Sequence, residues 1–275
     1  MAQMMFNPAA FTAQAAKPMP VILVLDNSGS MSGSKIDTLN DAVRNMLETF
    51  KQSGCAEVAF RIAIVTFGTG IHLLQEMIDV SQVDWQNIPI SDLSSCDNFT
   101  GIWDDASARG TPLGAVLKII KKMIDDKAII PSRAYRPAII IVSDGRPTDS
   151  WTAAMEDFIN NGRSSKCDRW AMSIGHDADN GPLQKFIDGC TYPDGTPKKL
   201  CYAGDAKALR DNFKFITMTI TNTAAIASKS KVLTVKPVTV KPTTIDAGQQ
   251  PPMKQKTKSA KVEPQKGDDG GGFEW

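Results

Sequence analysis

Apolar and polar residues fall into blocks along this chain, and the spacing within each block predicts what it forms. Val21 to Leu25 is a continuous apolar run that stops at Asp26 and gives way to Asn27-Ser28-Gly29-Ser30-Met31-Ser32. A run of this kind reads as a strand buried on both faces. Ile36, Leu39, Val43, Met46 and Phe50 then recur at helical spacing, and Lys51, Gln52 and Gly54 supply a stop. Glu57 to Phe67 predicts a second strand and Gly68-Thr69-Gly70 a tight turn. Ile71 to Ile78 follows too closely to cross over the sheet, because parallel neighbours need a connection of about a dozen residues or more. This third strand is therefore expected to run antiparallel.

The pattern weakens from Ser81 to Gly110, where Asp84, Asp92, Asp97, Asp104 and Asp105 are interspersed with Trp85, Phe99 and Trp103. It reads as a surface excursion, with a short edge strand at Ile88 to Leu93. Gly110-Thr111-Pro112 is expected to open a helix, with Thr111 at the N-cap and Leu113, Leu117, Ile120 and Ile124 as its buried stripe. Pro137 to Ser143 is another all-apolar strand and also ends in a polar burst, Asp144-Gly145-Arg146-Pro147-Thr148-Asp149. Further blocks predict a helix at Trp151 to Ile159, a strand at Arg169 to Ile174, a short helix at Leu183 to Ile187, a strand at Lys198 to Tyr202 and a closing helix through Leu209, Phe213, Ile216 and Ile220. Strands alternating with helices define an α/β, Rossmann-like, doubly wound fold. Its sheet is expected to have six mostly parallel strands, one antiparallel edge strand and helices on both faces.

Residues 20–224 hold this pattern, so 1–19 are expected to be a flexible arm and 225–275 a flexible basic tail. In the tail, Thr234-Val235-Lys236-Pro237 recurs as Thr239-Val240-Lys241-Pro242, an extended, Pro-punctuated composition that builds no core. The last residues, Phe273-Glu274-Trp275, read either as a compact aromatic anchor for a partner or as a solvated terminus.

Charge narrows the function classes. Lys plus Arg number 31 and Asp plus Glu 30 among 275 residues, a net charge of +1, so the whole chain gives no electrostatic reason to favour nucleic acid or an anionic membrane. The basic tail alone could touch nucleic acid nonspecifically. No apolar stretch is long enough to span a bilayer, and the N-terminus lacks the basic start and apolar middle of a secretory signal. The five cysteines (Cys55, Cys96, Cys167, Cys190, Cys201) are widely spaced with no Cys-x-x-Cys pair, which argues for a reduced, cytoplasmic compartment. Cys190 and Cys201 could meet across the turn at Pro193-Asp194-Gly195.

The candidate chemistry lies where the strands end. Asp26, Ser28 and Ser30 alternate along a loop, so they can either cap the next helix or turn oxygen atoms toward one hard cation. In an open parallel sheet, Asp26, Asp144 and Thr111 reach the same rim, outside the carboxyl ends of the strands. Enzymatic alternatives are poorly served: Asp26-Asn27-Ser28 lacks the second acid of a haloacid-dehalogenase phosphatase, no Gly-x-Gly-x-x-Gly follows a strand, and His72 and His176 are the only histidines. The expectation is a non-enzyme, with a weak metal-dependent phosphohydrolase as the catalytic alternative.

Asp26-x-Ser28-x-Ser30, then Thr111, then Asp144 in Ser-Asp-Gly, resembles the metal-ion-dependent adhesion site of von Willebrand factor A domains, over roughly Pro20 to Ala224. The resemblance implies direct metal bonds from Ser28 and Ser30, a direct or water-mediated one from Thr111, and water-mediated roles for Asp26 and Asp144. It implies Mg²⁺, with Mn²⁺ or Ca²⁺ as substitutes, and a protein partner whose acidic side chain completes the shell. Arg146, Asp149 and His176 would stand near that partner. Within the family the chain looks most like the intracellular bacterial TerY-like proteins of tellurium-resistance and stress operons. Those are associated with a Ser/Thr kinase and a PP2C-type phosphatase, which would make Thr234, Thr239, Thr243 and Thr244 phosphorylation sites in a regulated scaffold.

Overall fold

The computed structural model describes residues 16–54, 58–68, 70–85, 110–175 and 179–227. Strand β1 (Lys17–Asp26) is followed by helix α1 (Ser34–Ser53), then β2 (Val58–Phe67) and β3 (Ile71–Asp79). Helix α2 (Leu113–Asp125), β4 (Ala138–Ser143), α3 (Trp151–Asn160), β5 (Asp168–Ile174), α4 (Asn180–Ile187), β6 (Cys201–Ala203) and α5 (Ala206–Ala227) complete the order. The six strands lie side by side as β3-β2-β1-β4-β5-β6. All neighbours are parallel except β2 and β3, which are antiparallel as their short connection requires.

β1 sits at the centre and supplies both halves of the core. Side chains alternate across a strand, so Val21, Leu23 and Leu25 join the layer with α1 and α5, while Ile22 and Val24 join the layer with α2, α3 and α4. Val21 to Leu25 are all at 0 % exposure, which explains why the run carries no polar residue. After β1 the chain winds to one side of the sheet through β2, and β4 begins the other side. The C-terminal ends of β1 and β4 therefore flank the switch point at which such sheets collect ligands.

Several boundaries differ from expectation. β1 starts at Lys17, paired with Val58, so Lys17 to Met19 belong to the sheet rather than to an arm, and α5 continues to Ala227 rather than ending near Ala224. Helix α2 begins one residue late, with Pro112 at its N-cap (φ −80°, ψ 68°) in place of Thr111. β6 is confined to Cys201–Ala203, because Lys198 is drawn off: its amide bonds to the Cys190 carbonyl and its ammonium to Asp168, 2.6 Å away. Cys167, Cys190 and Cys201 are free thiols, so Cys190 and Cys201 form no disulfide. The edge strand expected at Ile88 to Leu93, His176, the tail threonines and Phe273 and Trp275 lie outside the described residues.

Candidate metal centre

The five oxygen-bearing residues singled out in the sequence converge. β1 ends in Asp26, which is fully buried, and the loop after it turns back at once because the Ser28 amide donates to Asp26 Oδ1 at 2.8 Å. That turn brings the Ser28 and Ser30 hydroxyls within 3.0 Å of each other. Ser30 Oγ in turn donates to Asp144 Oδ1 at 2.7 Å, joining the end of β1 to the end of β4. Ser143, the last residue of β4, donates its hydroxyl to Asp26 Oδ2 at 2.5 Å. Thr111 closes the ring from the segment just before α2: a Cβ placed on Gly145 would lie 3.0 Å from Thr111 Oγ1 and 3.8 Å from Asp26 Oδ2. The glycine in Ser-Asp-Gly thus keeps open a space bordered by both oxygens.

Thr111 is available for the rim because other groups do its expected capping work. Asp149 accepts from the amides of Gly114 (3.0 Å) and Ala115 (2.8 Å) and so caps α2 from the connection between β4 and α3. Each Asp149 oxygen thus accepts one backbone bond, which fixes the side chain beside the start of α2. Arg146 is exposed beside the rim. Thr148 Oγ1 accepts from the Thr111 amide at 2.9 Å, which requires close approach of the loop at Gly110, where φ is +90° and a Cβ would strike Thr148.

Sequence reasoning missed Lys35. Its ammonium lies 2.7 Å from Asp144 Oδ2 and 3.2 Å from the Ser30 carbonyl. A lysine in the first turn of a helix opposes the helix dipole, and this oddity was the available signal that a carboxylate waits nearby.

The rim holds two carboxyl groups, of which Asp144 is ion-paired with the Lys35 ammonium and Asp26 is fully buried. Burial pushes the Asp26 carboxyl from 3.8 up to about 6, with hydrogen bonds from Ser143 and Ser28 working against the shift and Asp144 adding to it. Among the described residues no group of three or more His, Cys, Asp or Glu is placed to hold a metal. An ion at this rim would be held by hydroxyls with two carboxylates in support, an all-oxygen set that suits Mg²⁺ and poorly suits a soft metal.

Comparison with known proteins agrees with this architecture. Residues 21–146 match the family model described as von Willebrand factor type A domain, and with the sheet order this supports such a domain in the chain. No curated protein matches significantly. Among solved structures, a von Willebrand factor type A protein from Catenulispora acidiphila aligns at 16% identity over 75% of this chain and 43% of its own, with a TM-score of 0.50. Proximal thread matrix protein 1 from the mussel byssus, with a zinc-occupied MIDAS motif, aligns at 13% identity over 76% of this chain and 49% of its own (TM-score 0.50). The pilus adhesin SpaC from Lactobacillus rhamnosus GG aligns at 16% over 76% and 31% (TM-score 0.53). The chain thus spans less than half the length of each of these structures, and the likeness is one of fold.

One position tests the geometry directly. A Cβ on Gly68 would stand 2.6 Å from the Ser28 amide nitrogen and 2.8 Å from the Asn27 carbonyl carbon, which are backbone atoms with little freedom to yield. Gly68→Ala is expected to cost about 1–3 kcal/mol and to push the Asp26–Ser30 loop off the rim. Thermal unfolding reads the loss, and an unchanged midpoint would show that the loop is not pinned there.

Proposed function

We propose that Asp26, Ser28, Ser30, Thr111 and Asp144 form a metal-ion-dependent adhesion site, and that the chain is an interaction module whose bound Mg²⁺ accepts a carboxylate from a protein partner. Von Willebrand factor type A domains commonly serve as metal-dependent protein-interaction modules. The observation that carries the reading is the continuous network Ser28–Ser30–Asp144, at 3.0 and 2.7 Å, beside the space that Gly145 leaves between Thr111 and Asp26. In that arrangement hydroxyls would hold the ion and the carboxylates would orient the hydroxyls. With little anionic charge in direct contact, such an ion retains its appetite for an external carboxylate.

A binding role also explains Asp26 better than catalysis does. It is the rim carboxyl whose pKa is lifted toward neutrality, yet it is fully buried and already engaged by Ser28 and Ser143, so it has no access to a substrate proton. Isothermal titration of the full chain with Mg²⁺, Mn²⁺ and Ca²⁺, followed by capture of partners in metal and in chelator, tests the proposal. Ser30→Ala is expected to weaken metal binding about tenfold or more and to abolish metal-dependent capture. Partner capture that persists undiminished in chelator would refute it.

On this reading the module works as a cytoplasmic adaptor in a bacterial stress-response or phospho-signalling system. The resemblance to TerY-like proteins extends the proposal to the tail, with Thr234, Thr239, Thr243 and Thr244, set among lysines, as acceptors for a Ser/Thr kinase reset by a PP2C-type phosphatase. Mass spectrometry of protein from its host tests that part separately.

A further inference from the structure

At the end of the sheet opposite the metal rim, a cleft of about 650 Å³ opens beneath the starts of β4 and β5. Its lining includes Lys127, Arg136, Arg163, Lys166 and Arg169, against the single carboxylate of Asp168. That carboxylate is already neutralised by the Lys198 ammonium at 2.6 Å and also accepts from Trp170 Nε1 at 2.8 Å.

The two inner guanidiniums have no compensating anion among the described residues. Arg169, 4 % exposed, donates to the carbonyls of Phe186 (2.6 Å), Asp188 (2.7 Å) and Ser165 (3.2 Å). Arg163 donates to the carbonyls of Ile124 and Ile130. Carbonyl dipoles satisfy the N–H groups but leave each full positive charge in place. Cys167, between them, adds no negative charge, since burial raises its thiol to about 12. Around the mouth, Lys127, Arg136 and Lys166 are exposed and have no carboxylate partner among the described residues. A concave, low-dielectric wall carrying one sign of charge concentrates the field inside the cleft.

We propose that this basal cleft is a second binding site, independent of the metal rim, for a phosphate monoester. Arg136, Lys127 and Lys166 would make the contacts, while Arg163 and Arg169 supply the standing positive field. Phosphate suits the site because it offers several acceptor oxygens and a double charge to donors that approach from different sides. The volume also lies in the range of small-ligand clefts, about 300–1,000 Å³. The phosphate could be carried by a phosphorylated side chain or by a free mononucleotide.

The test uses the full chain, labelled with ¹⁵N and held in chelator so that the metal rim contributes nothing. Inorganic phosphate, AMP, a phosphothreonine peptide, the same peptide unphosphorylated and an aspartate-rich peptide are titrated in turn. The expected result is saturable amide shifts around Ser165 to Arg169 and Gly189 to Thr191, without shifts at Asp26 to Ser30. The double variant Arg136→Ala/Lys166→Ala, which alters exposed side chains alone, should weaken binding about tenfold or more, and Asp26→Asn should leave it unchanged. Preference for the phosphopeptide assigns the ligand to a modified protein, and preference for AMP to a nucleotide; either supports the site. No saturable binding, equal binding by the double variant, or equal binding of the aspartate-rich peptide would overturn it.

Discussion

Asp26→Asn is expected to weaken Mg²⁺ binding about a hundredfold or more while leaving the fold intact. Asparagine keeps the shape of the side chain, so its carbonyl can still accept from the Ser28 amide, and Ser143 can rotate its hydroxyl to meet the amide group. What disappears is the negative charge in the one rim carboxyl that sees no solvent, where charge is felt most strongly. Ser143→Ala removes one hydrogen bond to Asp26 but no charge, and should cost only about tenfold. Calorimetric titration alongside circular dichroism separates the cases. Wild-type metal affinity in Asp26→Asn would rule out this rim as the metal site.

The fold was legible in the sequence wherever one local rule decided an element. The unbroken apolar run from Val21 to Leu25 reads as a strand covered on both faces, and the short connection at Gly68 to Gly70 leaves no room for a crossover, so the chain has to reverse direction. Convergence of Asp26, Thr111 and Asp144 was legible one level higher, from the rule that parallel strands present their C-terminal ends together. What stayed hidden were partners chosen by tertiary approach. Nothing near Asp149 in sequence says that its carboxylate will cap α2, yet this bond frees Thr111 from the N-cap role its neighbours suggested. The contact of Lys35 with Asp144, across more than a hundred residues, and the support of Asp26 by Ser143 were invisible for the same reason. The basal cleft was invisible because its basic residues come from three separate stretches, at Lys127, at Arg136 and from Arg163 to Arg169, in a chain of nearly neutral charge.

Metal-free protein should be destabilised by Asp26 as pH rises, by up to about 3 kcal/mol at neutrality. Burial lifts the Asp26 carboxyl from 3.8 to about 6 in the folded chain, so folding favours its neutral form. The contribution is therefore fully present below pH 3.8 and is lost as pH passes through 6, leaving a buried carboxylate to be carried at pH 7. Asp26→Asn has no such ionisation. In chelator its unfolding midpoint should match wild type near pH 4, pull ahead between about pH 4 and 6, and hold a constant lead of several degrees above that. Millimolar Mg²⁺ should close the gap by stabilising wild type alone, because the cation offsets the charge that burial penalises. By the same linkage, metal affinity in the wild type should fall steeply below pH 6, where a proton competes for Asp26. Parallel melting profiles for the two proteins from pH 4 to 8 would show that Asp26 carries no such strain. If the gap appears and Mg²⁺ closes it, the domain tolerates an unfavourable buried acid in its free state, and the bound ion offsets that cost.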